Sequence, residues 1–250
     1  MKRTTLLYST LALLLGFTAC TQDDLSSSSG ELRGTPMTFT ATGLTPSAGT
    51  RATVDGDWEG VSTVAVQIGS EVKEYRVILS TDNLTATLGS DAPHYWAAGD
   101  TVTVSAWWPY TKGEATMPAV VVQADQRGDG YAKSDHIGVA EELLHYNGST
   151  PTLAFTHRTA HVVVTVTSGT QTVSSVRLTN LSTADGNPGE IIAHDAGSGT
   201  YEALVAPQSV AQGMAFVTIA TANGKTYAYR LENNAEWNAG AEYKYDIRIE

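Results

Sequence analysis

From about residue 35 onward, the apolar positions recur at every second residue. Met37, Phe39 and Ala41 alternate with Thr38, Thr40 and Thr42, and Val102, Val104, Ala106 and Trp108 share one side of a run whose other side carries Thr103 and Ser105. Val162, Val164 and Val166 form a third stripe, and Tyr227, Tyr229 and Leu231 a fourth. At the far end Tyr243, Tyr245, Ile247 and Ile249 alternate with Lys244, Asp246, Arg248 and Glu250. Successive side chains of an extended strand point to opposite faces, so each set predicts the buried face of a β-strand. Turn-forming clusters separate the runs: Ala98-Gly99-Asp100, Gly128-Asp129-Gly130, Asp185 to Gly189, and Ala239-Gly240. Asn223-Gly224 between two apolar runs predicts a tight hairpin. Only Ser134 to Tyr146, carrying Ile137, Val139 and Leu143 and interrupted by Gly138, leaves room for a short helix. The expected fold class is all-β. A common β-sandwich uses roughly 100 residues, so the region past residue 36 predicts two: 37–150 and 151–250, joined near Gly148-Ser149-Thr150-Pro151.

The first 36 residues follow other rules. Lys2 and Arg3 precede an apolar run from Leu6 to Phe17, too short for a comfortable membrane span and followed by polar Thr21 to Asp24, which is the pattern of a cleaved secretory signal over 1–19. The small residues Thr18 and Ala19 stand before Cys20, the chain's single cysteine, which has no partner for an internal disulfide. Phe17-Thr18-Ala19-Cys20 resembles a lipobox, which implies acylation at Cys20, including palmitate, and anchorage in the outer membrane. Asp23-Asp24 resembles a surface-export signal. Residues 20–36, rich in serine, predict a tether.

Composition removes several function classes. A net charge of −11 gives no basic face to displace counterions from phosphates, so no nucleic-acid partner is expected. No GxSxG elbow, phosphate-cradling glycine loop or dinucleotide fingerprint occurs, so neither catalysis nor a cofactor is expected. His157 and His161 have the spacing of zinc ligands on a helix, but in a strand four residues span roughly 13 Å, too far to share one ion. His94, His136, His145 and His194 form no metal motif. Asp55, Asp57 and Glu59 alternate as in a calcium loop without its remaining ligands, and read as a solvated turn. Arg127-Gly128-Asp129 spells an integrin-recognition tripeptide, for which a glycine turn is the plainer reading. Asn83, Asn147 and Asn180 begin glycosylation triplets of little meaning in a bacterial chain. Trp107 and Trp108 must face opposite sides of their strand, so one lies outside the core unless the sheet is covered on both faces.

Several short segments, in their order, resemble the fimbrillins, the lipoprotein pilin subunits of Gram-negative bacteria. They are Thr50-Arg51-Ala52-Thr53, Trp96 to Val104, Asp125-Gln126 with Tyr131 and Ser134-Asp135, Leu153 to His157 leading into Val162 to Val166, Ala206-Pro207-Gln208, and Trp237 to Tyr245. The resemblance implies two tandem Greek-key transthyretin-like β-sandwich domains and cleavage by an arginine-specific protease. Arg51 is the expected processing site, with Arg33 as a second. The strand carrying Met37, Phe39 and Ala41 would then leave, and a strand from another fimbrial subunit would fill its place by β-strand addition. The implied function is a fimbrial structural, tip or accessory subunit on the cell surface, supporting adhesion to a host or bacterial surface ligand. Because the sequence stops at Glu250, within the strand beginning at Tyr243, a strand-accepting tip or accessory role is expected. The rival reading is a monomeric surface lipoprotein that binds glycans for a polysaccharide-uptake system.

Overall fold

The computed structural model describes residues 34–44, 57–97 and 101–250, and they are all-β apart from short helical turns. The first ten strands are β1 (Thr35–Pro36), β2 (Phe39–Thr42), β3 (Thr63–Ile68), β4 (Glu71–Leu79), β5 (Ala86–Gly89), β6 (Tyr95–Trp96), β7 (Thr101–Trp108), β8 (Ile137–His145), β9 (Thr152–Ala154) and β10 (Thr156–His157). Eight of them form one sheet in the order β10-β8-β7-β3-β4-β5-β2-β9, while β1 pairs with β6. Only Phe155 separates β9 from β10, so the two ends of the sheet meet and the sheet wraps around its own core. That core holds Met37, Phe39, Trp58, Val64, Val66, Tyr75, Leu88, Leu153 and Phe155.

The remaining strands are β11 (Ala160–Thr167), β12 (Val173–Thr179), β13 (Glu190–Ile192), β14 (His194–Gly197), β15 (Thr200–Val205), β16 (Gln208–Val210), β17 (Ala215–Thr221), β18 (Thr226–Arg230), β19 (Ala235–Trp237) and β20 (Glu242–Arg248). They build two four-stranded sheets, β14-β15-β11-β20 and β13-β12-β17-β18, with a small β16-β19 ribbon. The inward faces expected from the alternation meet between the sheets: Val162, Val164 and Val166, then Ile247 and Ile249, with Tyr227, Tyr229, Tyr243 and Tyr245 packed at the margin. Phe216 is their hub, its ring 4.5 Å from Tyr245 and 5.8 Å from Trp237. The Asn223-Gly224 hairpin joins β17 to β18 as expected.

The change from one core to the other is staggered along the chain. Val120 and Val122 pack in the second core, whereas Leu153 and Phe155, beyond the Gly148–Pro151 stretch, pack in the first. Residues 118–136 cross to the second half and hold it through the side-chain amide of Gln126. The Gln126 amide donates to Leu204 O (2.7 Å) and accepts from Leu204 N–H (2.8 Å), so a side chain supplies the pairing that another strand would give β15. Asn187 does the same for Ala206, at 3.1 and 2.8 Å.

Two local expectations need correction. Residues 137–145 are strand β8, not helix; the α-helical turn among the described residues is α1 (Asp129–Ala132), within a segment read as a turn. Pairing with β7 along its length overrides any helical preference, and a bulge between Val139 and Glu142 inserts an extra residue, with Glu141 at φ 53°. The bulge exchanges the faces, which is why Leu144 is buried while Leu143 is exposed. In β7, Val104 and Ala106 face the core and Val102 and Trp108 pack partly against it, but Trp107 is fully buried as well. The chain after β7 folds over the outer face, and Glu114 accepts the Trp107 indole N–H at 2.8 Å.

Gln126→Ala is expected to lower the unfolding free energy by about 2–4 kcal/mol, since two buried backbone groups of Leu204 lose their partners together. Denaturant unfolding measures this as a lower midpoint at unchanged slope. A loss below about 0.5 kcal/mol would mean that water replaces the amide.

Candidate functional site

The segment expected to leave is an interior strand of the first sheet. On one side β2 pairs antiparallel with β5, matching Phe39 to Leu88, Thr40 to Thr87 and Ala41 to Ala86. On the other it pairs parallel with β9, matching Thr40 to Thr152, Ala41 to Leu153 and Thr42 to Ala154. Hydrogen bonds of 2.8 Å from Thr40 N–H to Pro151 O and from Phe155 N–H to Thr42 O extend the β9 ladder, and one of 2.8 Å from Met37 N–H to His94 O continues the β1–β6 pairing. Met37, Phe39, Ala41 and Leu44 are buried, while Thr38 is exposed and Thr40 and Thr42 half-buried, so the alternation read from the sequence is the alternation of the fold. Gly43 follows at φ 99°, where a Cβ would lie 2.4 Å from Phe155 O; the position admits only glycine without movement of β9.

Beneath the strand lies a buried polar relay that the sequence did not reveal. The Phe39 ring tilts against Tyr75 with centroids 5.6 Å apart. The Tyr75 hydroxyl accepts the His94 N–H (2.9 Å), His94 Nε2 donates to Val66 O (3.1 Å), and His94 O receives Met37 N–H. Burial pushes the Tyr75 phenol up to about 12 and holds His94 below the usual imidazole range. Trp58 stands edge-on to Phe155 at 4.9 Å, closing the floor of the slot.

The three modification sites expected from sequence, Cys20, Arg33 and Arg51, lie outside the described residues, as does Asp55. Asp57 accepts the Glu59 N–H at 2.9 Å, an ordinary turn. His157 and His161 are held separately. His157 Nδ1 is 3.0 Å from Asp135. Buried His161 lies 3.4 Å from Glu202 and 3.2 Å from Glu242, and the Tyr131 hydroxyl donates to Glu202 at 2.9 Å. Burial would raise Glu202, but His161 and Tyr131 outweigh it and hold the carboxyl low. Among the described residues no group of three or more His, Cys, Asp or Glu is arranged to hold a metal ion. In Arg127-Gly128-Asp129 the arginine folds back onto Asp125, at 2.9 and 2.6 Å, holding that carboxyl at about 2, and Asp129 opens α1. The tripeptide is a turn whose arginine is tied back to the residue two before it.

A family model described as fimbrillin-like matches residues 50–250. No curated protein matches the sequence. Among solved structures, a candidate cell adhesion protein from Bacteroides uniformis is similar with a TM-score of 0.59 at 20% identity, covering 86% of this chain and 93% of that one. A candidate cell adhesion protein from Bacteroides ovatus gives 0.60 at 14% identity, covering 87% and 93%. The tip fimbrial protein Mfa3 from Porphyromonas gingivalis, with a C-terminal truncation, gives 0.50 at 11% identity, covering 86% and 95%. At these identities the structures establish a shared fold.

Tyr75 gives the slot a pH signature. Its phenol is raised from 10.0 to about 12 in the folded protein, so the associated stability is fully present below pH 10 and is lost as the pH rises towards 12. Denaturant unfolding across that window should show a fall that is reduced in Tyr75→Phe. An equal fall in both proteins would assign it to Tyr201 and Tyr245, which burial also raises.

Proposed function

The chain belongs to the fimbrillin-like family, and from that premise we propose that it is a subunit of a bacterial surface fimbria that exchanges β2 for a strand of a neighbouring subunit. The observation that carries this reading is the placement of residues 37–44: four buried side chains and hydrogen bonds on both sides, in a segment that precedes the rest of the fold. Because it lies before residue 51, with β3 and the strands that follow beyond it, a cut at Arg51 severs its covalent link to β3. Losing Met37, Phe39 and Leu44 removes roughly 1.5–3 kcal/mol of burial for each. It also leaves β5 and β9 with unpaired edges, which favour a replacement strand. The replacement must bring large apolar residues to the Met37 and Phe39 positions and a small one to Ala41, with polar residues between.

In this reading the precursor is acylated at Cys20, crosses to the cell surface and is processed at Arg51, and its assembled form supports adhesion. The role we propose is that of a tip or accessory subunit, consistent with a fold shared with the tip protein Mfa3.

Two outcomes test the proposal. Cys20→Ser should abolish incorporation of labelled fatty acid and membrane fractionation; retention of both would exclude lipoprotein maturation. Digestion with an arginine-specific protease should yield a stable fragment starting at Ala52, and this fragment alone should form a stoichiometric, thermally stabilised complex with a donor-strand peptide of the stated pattern. Equal binding by the uncleaved protein, or a first cut within residues 100–250, would overturn the exchange mechanism. Homopolymers of the cleaved protein alone would overturn the tip or accessory role.

A further inference from the structure

The outer face of the first sheet carries a cleft that strand exchange does not use. Glu74 and Arg76 project from β4 on the side opposite Tyr75, away from the core. Glu74 pairs across to Ala65 of β3, and Ala65 to Trp107 of β7, so the three mark one row on that face. The segment after β7 covers the row from the Trp107 side, anchored by Glu114 on the indole and by the Gln67 amide donating to Ala115 O at 3.3 Å. Beside Glu74 and Arg76, Tyr110 and Lys112 of that segment face Ser90 and Asp91 of the loop after β5 across a cleft of about 360 Å³. That volume lies in the range of small-molecule sites.

The charges in the cleft are unequally committed. The Lys73 ammonium is occupied with Pro93 O at 2.9 Å and Glu71 at 3.3 Å. Arg76 is paired with Asp91 through one terminal nitrogen, which leaves its other N–H donors available. Lys112 is exposed and has no carboxylate within ion-pair reach among the described residues. The cleft thus offers an uncommitted ammonium and a partly committed guanidinium to an anionic group. Glu74 and Asp91 would repel a bare inorganic anion but accept hydrogen bonds from hydroxyl groups. Tyr110, half-buried in the wall, supplies an aromatic surface for the apolar side of a ring.

We propose that this cleft binds the acidic end of a saccharide, with its carboxylate or sulfate on Lys112 and Arg76, its hydroxyls on Glu74 and Asp91, and a ring against Tyr110. An acidic sugar combines all three chemistries, whereas a simple anion or a neutral sugar meets only part of them. The proposal does not rest on strand exchange: β2 pairs with β5, whose following loop forms one wall, but no residue of β2 lines the cleft.

Titration of the full chain with the methyl glycoside of N-acetylneuraminic acid and with galactose 6-sulfate, followed by saturation-transfer NMR and calorimetry, tests it. At least one acidic sugar should bind saturably, and more weakly as salt is raised. Galactose and inorganic sulfate should not. Lys112→Ala should weaken binding at least about tenfold, the loss of one charge-assisted hydrogen bond, with unchanged thermal unfolding. Lys112→Arg should restore most of the affinity, and Lys225→Ala, in the β17–β18 turn, should have no effect. Absence of saturable binding by both acidic sugars, unchanged binding in Lys112→Ala, or equal binding of galactose would overturn the assignment. Equally tight binding of an acidic dipeptide would replace the saccharide with a peptide ligand.

Discussion

An interior strand of a sheet must satisfy two ladders at once, and the first half of this protein depends on β2 doing so. Its backbone bridges β5 and β9, and its apolar side chains fill the space between Tyr75, Leu88 and Phe155. Without it the sheet would divide at that place, since β9 has no other strand beside it in the sheet order. The Phe39 ring against Tyr75 and the Met37 N–H on His94 O tie the same segment to the buried Tyr75–His94 relay. Buried backbone groups without partners are costly, so the groups that β5 and β9 direct at the slot are satisfied by residues 37–44.

The second half solves the same accounting problem by another route. On the side of Leu204 away from β11, and at Ala206 just past the end of β15, the amides of Gln126 and Asn187 take the place of peptide groups. The crossing segment that brings Gln126 also brings Tyr131, which donates to Glu202 and stacks on His194 with centroids 5.0 Å apart. With Val120 and Val122 in the second core and Leu153 and Phe155 in the first, each core is completed by residues lying within the other's stretch of sequence.

The alternation of Met37, Phe39 and Ala41, and that of Val162, Val164 and Val166, was legible because a two-residue period has a single geometric meaning once one face is buried. The strand expected to be exchanged could therefore be located before its partners were known. The β8 face was not legible past Val139, because an inserted residue reverses the alternation and is specified by pairing with β7, not by local composition. Trp107 misled for a related reason. Its burial depends on a segment that returns over the sheet seven residues later, a tertiary event with no periodic signal. Gln126 and Asn187 look like ordinary loop amides in one dimension; only Gln126 stood within a segment shared in pattern with the fimbrillins. The Lys112 cleft has no sequence signal, being assembled from β4, the loop after β5 and the segment after β7.

The direction of pairing in β2 bears on how a fibre built through such a slot would carry load. A pull along the axis of a strand hydrogen-bonded on both sides stretches its ladder bonds together, and no single bond can yield before its neighbours share the strain. A pull at right angles at one end would open the same bonds in succession, as a zipper opens. Because β2 runs antiparallel to β5 and parallel to β9, a lengthwise force also drags alternate side chains such as Phe39 through pockets shaped for them. The slot therefore resists tension along the strand far better than peeling, a mechanical property suited to an appendage exposed to flow.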